Sequence, residues 1–330
     1  MDTERETVRD AVATEESERA LEQQLEEARL GQHIPTVKPL QDADLDVRPP
    51  AKESYRMGLW ASLKELVRYR ETLLTLVERD IRVRYKQALL GGTWAILNPL
   101  VLMVVFTVVF GKIAKISPLQ NVPYPIFSYV ALVPWTLFQT SVGSGAAAVI
   151  GNSAIIRKVY CPREAFPLAT VGSSIFDYLI SFVILLGMLL YYGFPPNRTW
   201  VAVPGLLLML IAISIALTML VSISTAFYRD TKYAIPMILQ VALYATPVAY
   251  PIEQVVGAPG RPTSFAPWLK NLYLYGNPLT PIMDGLRRTM IYGQWPRFGP
   301  TMVSLAVCLV LLVVAYIVFK RLDTLISDVV

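Results

Sequence analysis

The sequence has few of the residues on which most enzyme and metal sites depend. Its 330 residues include one histidine, His33, and two cysteines, Cys161 and Cys308. The cysteines stand far apart, and neither has other metal ligands at a suitable spacing, which argues against a disulfide framework and against a zinc site. Catalytic arrangements that need a histidine in the body of the protein are disfavoured for the same reason.

The first 54 residues have no aromatic side chain and no long apolar run. Residues 1–50 hold 13 acidic and 6 basic residues, whereas the rest of the chain holds 12 acidic and 24 basic residues. Because so little apolar surface cannot offset the entropy of ordering, residues 1–54 are predicted to be an acidic, mostly disordered cytoplasmic tail. Residues 15–30 can form a transient helix or a docking peptide. The polar start also argues against a cleavable secretion signal.

A phosphate-binding P-loop is missing as well. The only Gly-Lys pair, Gly111-Lys112, is followed by Ile113 and lacks the upstream glycine of that motif. We therefore expect this chain to bind no cofactor, and we expect ATP and Mg²⁺ to bind a separate subunit if ATP drives its activity. A nucleic-acid partner is disfavoured, because the basic residues lie between long apolar runs.

The chain is rich in apolar sequence, with 54% hydrophobic residues, 17% charged residues and a mean hydropathy of +0.46. This composition predicts an all-α integral membrane protein. Six runs approach the length of about 20 residues that a helix needs to cross roughly 30 Å of hydrocarbon. They cover residues 94–113, 125–150, 165–192, 200–227, 233–250 and 300–319. The predicted transmembrane domain is therefore residues 91–321, followed by a cytoplasmic C-terminus at 322–330.

Basic residues are distributed unequally between the two sides of these six passes. With the N-terminus inside, the inner flanks hold eleven lysines and arginines and the short outer flanks hold three, which predicts that both termini are cytoplasmic. The outer segment 251–299 adds five basic residues without reversing the contrast. This segment is rich in aromatic residues, proline and glycine, and it predicts re-entrant or interfacial helices on the outer face.

Residues 55–90 precede the first pass and predict a basic, amphipathic helix. Leucine, valine and isoleucine recur at three- and four-residue steps over 59–81, with basic residues between them. Such a helix suits the cytoplasmic headgroup layer, although packing on a soluble partner is an alternative. At its end, Arg82, Arg84 and Lys86 form a candidate site for a phosphate headgroup where substrate enters. The alternative is ordinary anchoring by positive charge.

Polar and aromatic residues within the passes are candidates for a channel wall. Asp177 lies in the third pass, where a carboxylate at the bilayer centre costs about 2.5–3.5 kcal/mol, so it should face protein or water. Its role is either a polar wall or proton site, or a structural hydrogen bond to a neighbouring helix. Aromatic rings can stack on sugars, but they also gather at membrane interfaces for amphipathic reasons. The aromatic candidates are Trp135, Phe138, Tyr178, Tyr244 and Tyr250.

The second cytoplasmic segment, residues 152–164, is short, charged and aromatic, and it connects two passes that it could move. It is the best candidate for a lever that docks on a motor. Its candidate coupling residues are Asn152, Arg157, Lys158, Tyr160, Pro162, Arg163 and Glu164.

This segment, with Arg-Lys-Val-Tyr-x-Pro-Arg-Glu at 157–164, resembles the coupling segment of ABC-2 type export permeases that move polysaccharides. Four other stretches agree in order: 78–85 with 90–99, then Tyr228-Arg-Asp, then Ala245-Thr-Pro-Val-Ala-Tyr, then Asn277-Pro278 with its helix. The resemblance runs from about residue 59 to residue 321. The acidic tail has no counterpart in it.

The resemblance implies a homodimer of permeases in the bacterial inner membrane that pairs with two copies of an ABC ATP-binding subunit. It implies a polyprenyl-pyrophosphate-linked, O-antigen-like glycan as cargo, with the ATPase contact at 152–164 and outer gate helices at 251–294. Capsule, teichoic acid, galactan, or a small lipid or drug are alternative cargoes. An integral-membrane enzyme acting on polyprenyl phosphate is a further alternative, but the sequence shows no cluster of carboxylates for it.

Overall fold

The computed structural model describes residues 68–86, 91–116, 118, 122–156, 161–257 and 265–329, with side chains as far as residue 322. The predicted tail, the first part of the predicted interface helix, and Arg157, Lys158 and Tyr160 lie outside these ranges. Within the ranges, every regular element is a helix. The prediction of an all-α fold is confirmed for this part of the chain.

Eleven α-helices are described in these ranges. They are α1 (Arg70–Tyr85), α2 (Thr93–Phe106), α3 (Tyr124–Gly145), α4 (Ser153–Ile156), α5 (Ala165–Tyr191), α6 (Ala202–Phe227), α7 (Thr231–Ala245), α8 (Glu253–Val256), α9 (Pro267–Gly276), α10 (Leu279–Met290) and α11 (Phe298–Val329). A π-helix, Thr107–Ile113, continues α2, and two 3₁₀ turns, Ile150–Asn152 and Arg198–Val201, precede α4 and α6.

Four of the described helical stretches are long and apolar enough to cross a membrane: Thr93–Ile113, Ala165–Tyr191, Arg198–Phe227 and Phe298–Leu322. They correspond to the first, third, fourth and sixth predicted passes. The second predicted pass corresponds to α3, which ends five residues before the predicted bound. The fifth corresponds to α7, whose 15 residues rise only about 22 Å and which also ends five residues early.

Helix α3 lies at the centre of the fold, and almost its whole length is buried. It packs against α2, α5, α6 and α10. Its last residue, Gly145, allows close approach to α6, because a Cβ atom there would lie 2.5 Å from Cγ2 of Thr218. A side chain at this position would push the two helices apart.

Helix α1 packs on α5 through its apolar face. Leu73, Leu76 and Val77 contact the start of α5 and the segment before it. Gly172 of α5 permits this approach, because a Cβ atom there would lie 2.7 Å from Cγ2 of Val77. This face of the predicted interface helix is therefore covered by the protein itself, whereas Leu74 on α1 remains exposed.

Helix α2 contains Pro99, which leaves a backbone carbonyl without its usual partner. Proline has no N–H group, so the carbonyl of Ala95, four residues earlier, accepts no hydrogen bond from it. The hydroxyl of Ser181 on α5 donates to that carbonyl at 2.8 Å. The carbonyl of Ala95 is thus paired by a residue of the neighbouring helix, and this hydrogen bond holds α2 against α5.

The described part of the outer segment 251–299 forms three short helices, α8, α9 and α10, in keeping with the predicted outer helices. Arg287 of α10 is fully buried and holds this region to the rest of the chain. Its guanidinium donates to the carbonyl of Phe127 at 3.1 Å and to that of Tyr250 at 3.2 Å, and also to the carbonyls of Pro247 and Val248. One side chain thereby ties α10 to α3 and to the chain that follows α7.

Candidate substrate and coupling sites

A polar cavity of about 300 Å³ opens where the end of α1 meets α2, α3 and α5. Its wall combines an ion pair, several hydroxyl groups, a carboxamide and aromatic rings. The lining residues are Arg84, Tyr85, Trp94, Ala95, Asn98, Pro99, Thr136, Leu137, Thr140, Ser144, Ser174, Asp177, Tyr178 and Ser181. We call this the polar cavity. It brings together Arg84, one of the predicted headgroup cations, with Asp177 and Tyr178, two of the predicted channel-lining residues.

Asp177 is held by two residues at the end of α1. Arg84 forms an ion pair with one carboxylate oxygen, and the hydroxyl of Tyr85 donates to the other at 2.5 Å. Arg84 also donates to the hydroxyl of Ser173 at 3.2 Å. The Asp177 side chain is 14% exposed and that of Arg84 is 29% exposed, so the pair faces the cavity while remaining largely buried. The structure therefore gives Asp177 an interhelical contact and a place in a polar wall.

The other two cations predicted to bind a headgroup lie elsewhere. Arg82 is exposed and pairs at 2.5 Å with Glu78, one helical turn earlier. Lys86 is exposed at the end of α1. Of the three predicted cations, only Arg84 lines the polar cavity, and its charge is already compensated by Asp177.

The predicted aromatic residues are found in three different settings: the core of the chain, the polar cavity and the end of α7. Trp135 and Phe138 are buried in the core of the chain, with ring centroids 5.4 Å apart, and the Trp135 indole donates to Gln139 at 2.9 Å. Tyr178 lines the polar cavity and stacks on Phe182. Their role as channel-lining residues stays a prediction.

Tyr244 and Tyr250 lie near the end of α7, far in sequence from the other three. Tyr244 is exposed, and its carbonyl accepts a hydrogen bond of 2.9 Å from the hydroxyl of Tyr250. The same hydroxyl lies 2.9 Å from that of Tyr273 on α9. Tyr250 thus contributes to the packing of the outer segment on the end of α7.

The described part of the coupling segment, which we define as residues 152–164, packs in two directions. Ile155 and Ile156 contact the apolar cluster that includes Leu76 of α1. Ile156 also contacts a second cluster, which contains Met219 of α6 and Phe319 of α11. Asn152, one of the predicted coupling residues, donates to the carbonyl of Ala148 at 2.7 Å. The segment therefore contacts more helices than the two passes that it joins in sequence.

Glu164 connects the coupling segment to α11 by an ion pair. Its side chain is 1% exposed, and Nζ of Lys320 lies 2.6 Å from its Oε1 atom. Pro162 is buried and Arg163 is partly buried beside it. Burial and the nearby Glu164 carboxylate raise the pKa of the Cys161 thiol, which keeps this thiol protonated and unreactive at neutral pH. Lys320 places a compensating positive charge beside this buried carboxylate.

A second cluster of charged side chains lies in the outer segment. Arg297, just before α11, lies 3.3 Å from Glu253 of α8 and 3.3 Å from Asp284 of α10. Arg288 of α10 donates to the carbonyl of Trp295 at 3.1 Å. These contacts join α8, α10 and the residues just before α11.

Sequence reasoning missed several residues that the structure places at these sites. In the sequence, Tyr85 stands in a motif and Lys320 in a basic flank, but their partners lie 92 and 156 positions away. Asn277 of the Asn-Pro motif was noticed without a role. It stands two residues before α10, and its side chain accepts a hydrogen bond of 3.0 Å from the amide of Leu279, the first residue of that helix.

The bundle of long apolar helices, with a polar cavity and a charged segment joined to several helices, is the arrangement of a multi-pass membrane transport protein. Residues 71–291 match the family model of the ABC-2 type transporter. The chain belongs to the ABC-2 type transporter family. Members of this family work with an ABC ATP-binding partner, which agrees with the missing P-loop.

Several characterised permeases are similar to this chain. The O-antigen export system permease protein RfbA of Myxococcus xanthus is 30% identical over 259 residues, or 78% of this chain and 95% of that protein. A permease of the same description from Klebsiella pneumoniae is 25% identical over 186 residues, or 56% of this chain and 71% of that protein. The polysialic acid transport protein KpsM of Escherichia coli is 22% identical over 229 residues, covering 67% and 82% respectively. The relatives are transport proteins, and they give no support to the membrane-enzyme alternative.

Proposed function

We propose that this chain is the permease subunit of an ATP-driven exporter that moves a lipid-linked, O-antigen-like polysaccharide from the cytoplasm across the bacterial inner membrane. The observation that carries the proposal is the likeness to the Myxococcus xanthus O-antigen export permease over 95% of that protein. The polar cavity supports it, because a glycan needs hydroxyl and charged groups along its path. A capsular polysaccharide is the second candidate cargo, favoured by the likeness to KpsM.

The proposed topology has six passes, formed by α2 with its π-helical extension, α3, α5, α6, α7 and α11, and it places both termini in the cytoplasm. The excess of basic residues on the inner flanks supports this orientation. The proposed assembly is a homodimer with two ATP-binding subunits, which bind ATP and Mg²⁺. Its support is the exposed apolar surface of α2, its π-helical extension and α7, where Val104, Val108, Met237 and Val241 are between 43% and 70% exposed in a single chain. Lipid and a second copy would share that surface.

ATP-driven closure of the two partner subunits is proposed to push on residues 152–164. The contacts of this segment support transmission to α1 through Leu76, to α6 through Met219, and to α11 through the pair of Glu164 and Lys320. The helices α3 and α5, which the segment joins, would tilt with them. The glycan would leave beneath the outer helices α8 to α10.

Affinity capture of this chain from its native membranes tests the proposal. Mild solubilisation and mass spectrometry should recover an ABC ATP-binding subunit in equal amount, together with a glycan on a polyprenyl carrier. Recovery of a capsular glycan on a different lipid would favour the second candidate. Capture without an ATP-binding subunit, under conditions that keep other such complexes intact, would refute the exporter assignment.

A further inference from the structure

We infer that the polar cavity binds a single sugar ring of the exported glycan, held between Trp94, Tyr178, Asp177 and the hydroxyl groups of α3. This inference rests on the proposed function and narrows it, since it names the part of the cargo and the place where this chain contacts it. The size of the cavity is the first reason. At about 300 Å³ it lies at the lower end of the range of small-molecule pockets, so it suits one ring rather than a polymer.

The lining of the cavity has the chemistry that a sugar ring requires. Trp94, which is 54% exposed, and Tyr178, whose ring also stacks on Phe182, are both in the lining, and an aromatic ring there can pack on the C–H face of a pyranose. Thr136 and Thr140 of α3 donate their hydroxyl protons to backbone carbonyls of their own helix at 2.7 Å. Their oxygen atoms therefore keep lone pairs that can accept hydrogen bonds from the hydroxyl groups of a ligand.

The charge balance of the cavity favours a neutral ligand over a phosphate group. Arg84 is its lining cation, and the Asp177 carboxylate already compensates it. A phosphate bound to Arg84 would be repelled by Asp177, or would leave that carboxylate buried without its partner. A sugar hydroxyl creates no such conflict, because it can donate to Asp177 while its oxygen accepts from Arg84. The exposed cation Lys86 lies outside the cavity, and Arg82, which is also exposed, pairs with Glu78.

The rate of thiol alkylation in the cavity gives a direct test of binding. Asn98 lies exposed at the cavity rim, so the variant Asn98→Cys introduces a reactive thiol. Cys308 is buried and the pKa of Cys161 is raised, so both native thiols should react slowly, and the parent protein measures that background. The full chain with its ATP-binding subunit, in lipid nanodiscs, is treated with a maleimide in the presence of n-octyl glucoside, n-octyl phosphate or an octyl oligoethylene glycol. Each amphiphile is kept below its solubilising concentration.

Octyl glucoside is expected to slow the alkylation of Asn98→Cys several-fold, whereas the other two amphiphiles leave the rate unchanged. Adding Thr140→Val removes one hydrogen-bonding oxygen and should weaken the apparent affinity for octyl glucoside about threefold to tenfold. Thr225→Val is the matched control, because Thr225 makes the same intrahelical bond, at 2.8 Å to Val221, in α6 and outside the cavity. It should leave the protection intact.

Equal slowing by all three amphiphiles would overturn the inference, since it would show non-specific occupation by lipid-like molecules. Slowing by octyl phosphate alone would also overturn it and would assign the cavity to a phosphate group. The absence of any slowing by octyl glucoside would likewise overturn the inference. All of these results concern binding at the cavity, so they are distinguishable from a failure of the proposed function, which the recovery of ATP-binding subunit and glycan tests separately.

Discussion

Replacement of Lys320 by methionine is expected to destabilise the protein and to uncouple ATP hydrolysis from export. The variant leaves the carboxylate of Glu164, 1% exposed, without its compensating charge. Removing one partner of a buried ion pair costs about 3–5 kcal/mol. Because Lys320 is 20% exposed and solvent screens part of the pair, we expect a loss of about 3 kcal/mol in the free energy of unfolding.

Glu164→Gln removes the charge but keeps the shape of the side chain, so its cost should be about 1 kcal/mol. The double variant should then resemble Glu164→Gln alone, giving an interaction energy of about 3 kcal/mol in a double-mutant cycle. The control is Lys232→Met, a change at an exposed lysine in the first turn of α7, with an expected effect within about 0.5 kcal/mol. Denaturant titration in mixed micelles measures these differences.

Function is measured on the same variants, assembled with the ATP-binding subunit in proteoliposomes. If the pair transmits movement to α11, the double variant should fold and hydrolyse ATP but export less glycan per ATP than the parent. The exchanged pair, Glu164→Lys with Lys320→Glu, should recover part of that ratio. Additive effects of the two single changes on stability, or an unchanged export ratio in the double variant, would refute the reasoning.

The remaining predictions concern close packing and the buried guanidinium. Gly172→Ala should lower the unfolding free energy by about 1–3 kcal/mol, because the new Cβ atom would lie 2.7 Å from Cγ2 of Val77. Adding Val77→Ala should remove this steric clash and recover part of the lost stability. Gly187→Ala, whose Cβ atom meets no atom within 4 Å, is the control, and an equal loss there would contradict the packing argument. Arg287→Lys should cost about 3 kcal/mol or more, because lysine cannot reach all of the carbonyls that Arg287 bonds, whereas Arg82→Lys at an exposed site should cost less than about 0.5 kcal/mol. Thermal denaturation in detergent ranks these five changes. Equal effects of the two arginine changes would show that the hydrogen bonds of Arg287 do not stabilise the fold.

The positions of the long apolar helices could be predicted from sequence because hydropathy is a local property. The predicted starts of the first and third passes, at residues 94 and 165, lie within one residue of the observed helices. The ends were less predictable where polar and small residues follow an apolar run. After Ala245, the run Thr-Pro-Val-Ala-Tyr stays apolar enough to extend a hydropathy window, but proline prevents the helix from continuing into it.

The candidate sites were only partly predictable, because their contacts join residues distant in sequence. Asp177 could be identified as a carboxylate in need of a partner, but nothing local indicates that Arg84 and Tyr85 supply it. Trp135 shows the opposite problem. An aromatic residue in a pass has the same sequence signature in a core as at a channel surface, and the structure places this one in the core of the chain.

The short length of α7 has a consequence for the lipid around it. A rise of about 22 Å falls some 8 Å short of the roughly 30 Å hydrocarbon layer. Hydrophobic mismatch of this kind is met by local thinning of the bilayer, at a cost of fractions of a kcal/mol per Å. As a membrane pass, α7 would therefore thin the bilayer around it, and the apolar distance across the membrane would be shorter there than beside the long helices α5, α6 and α11.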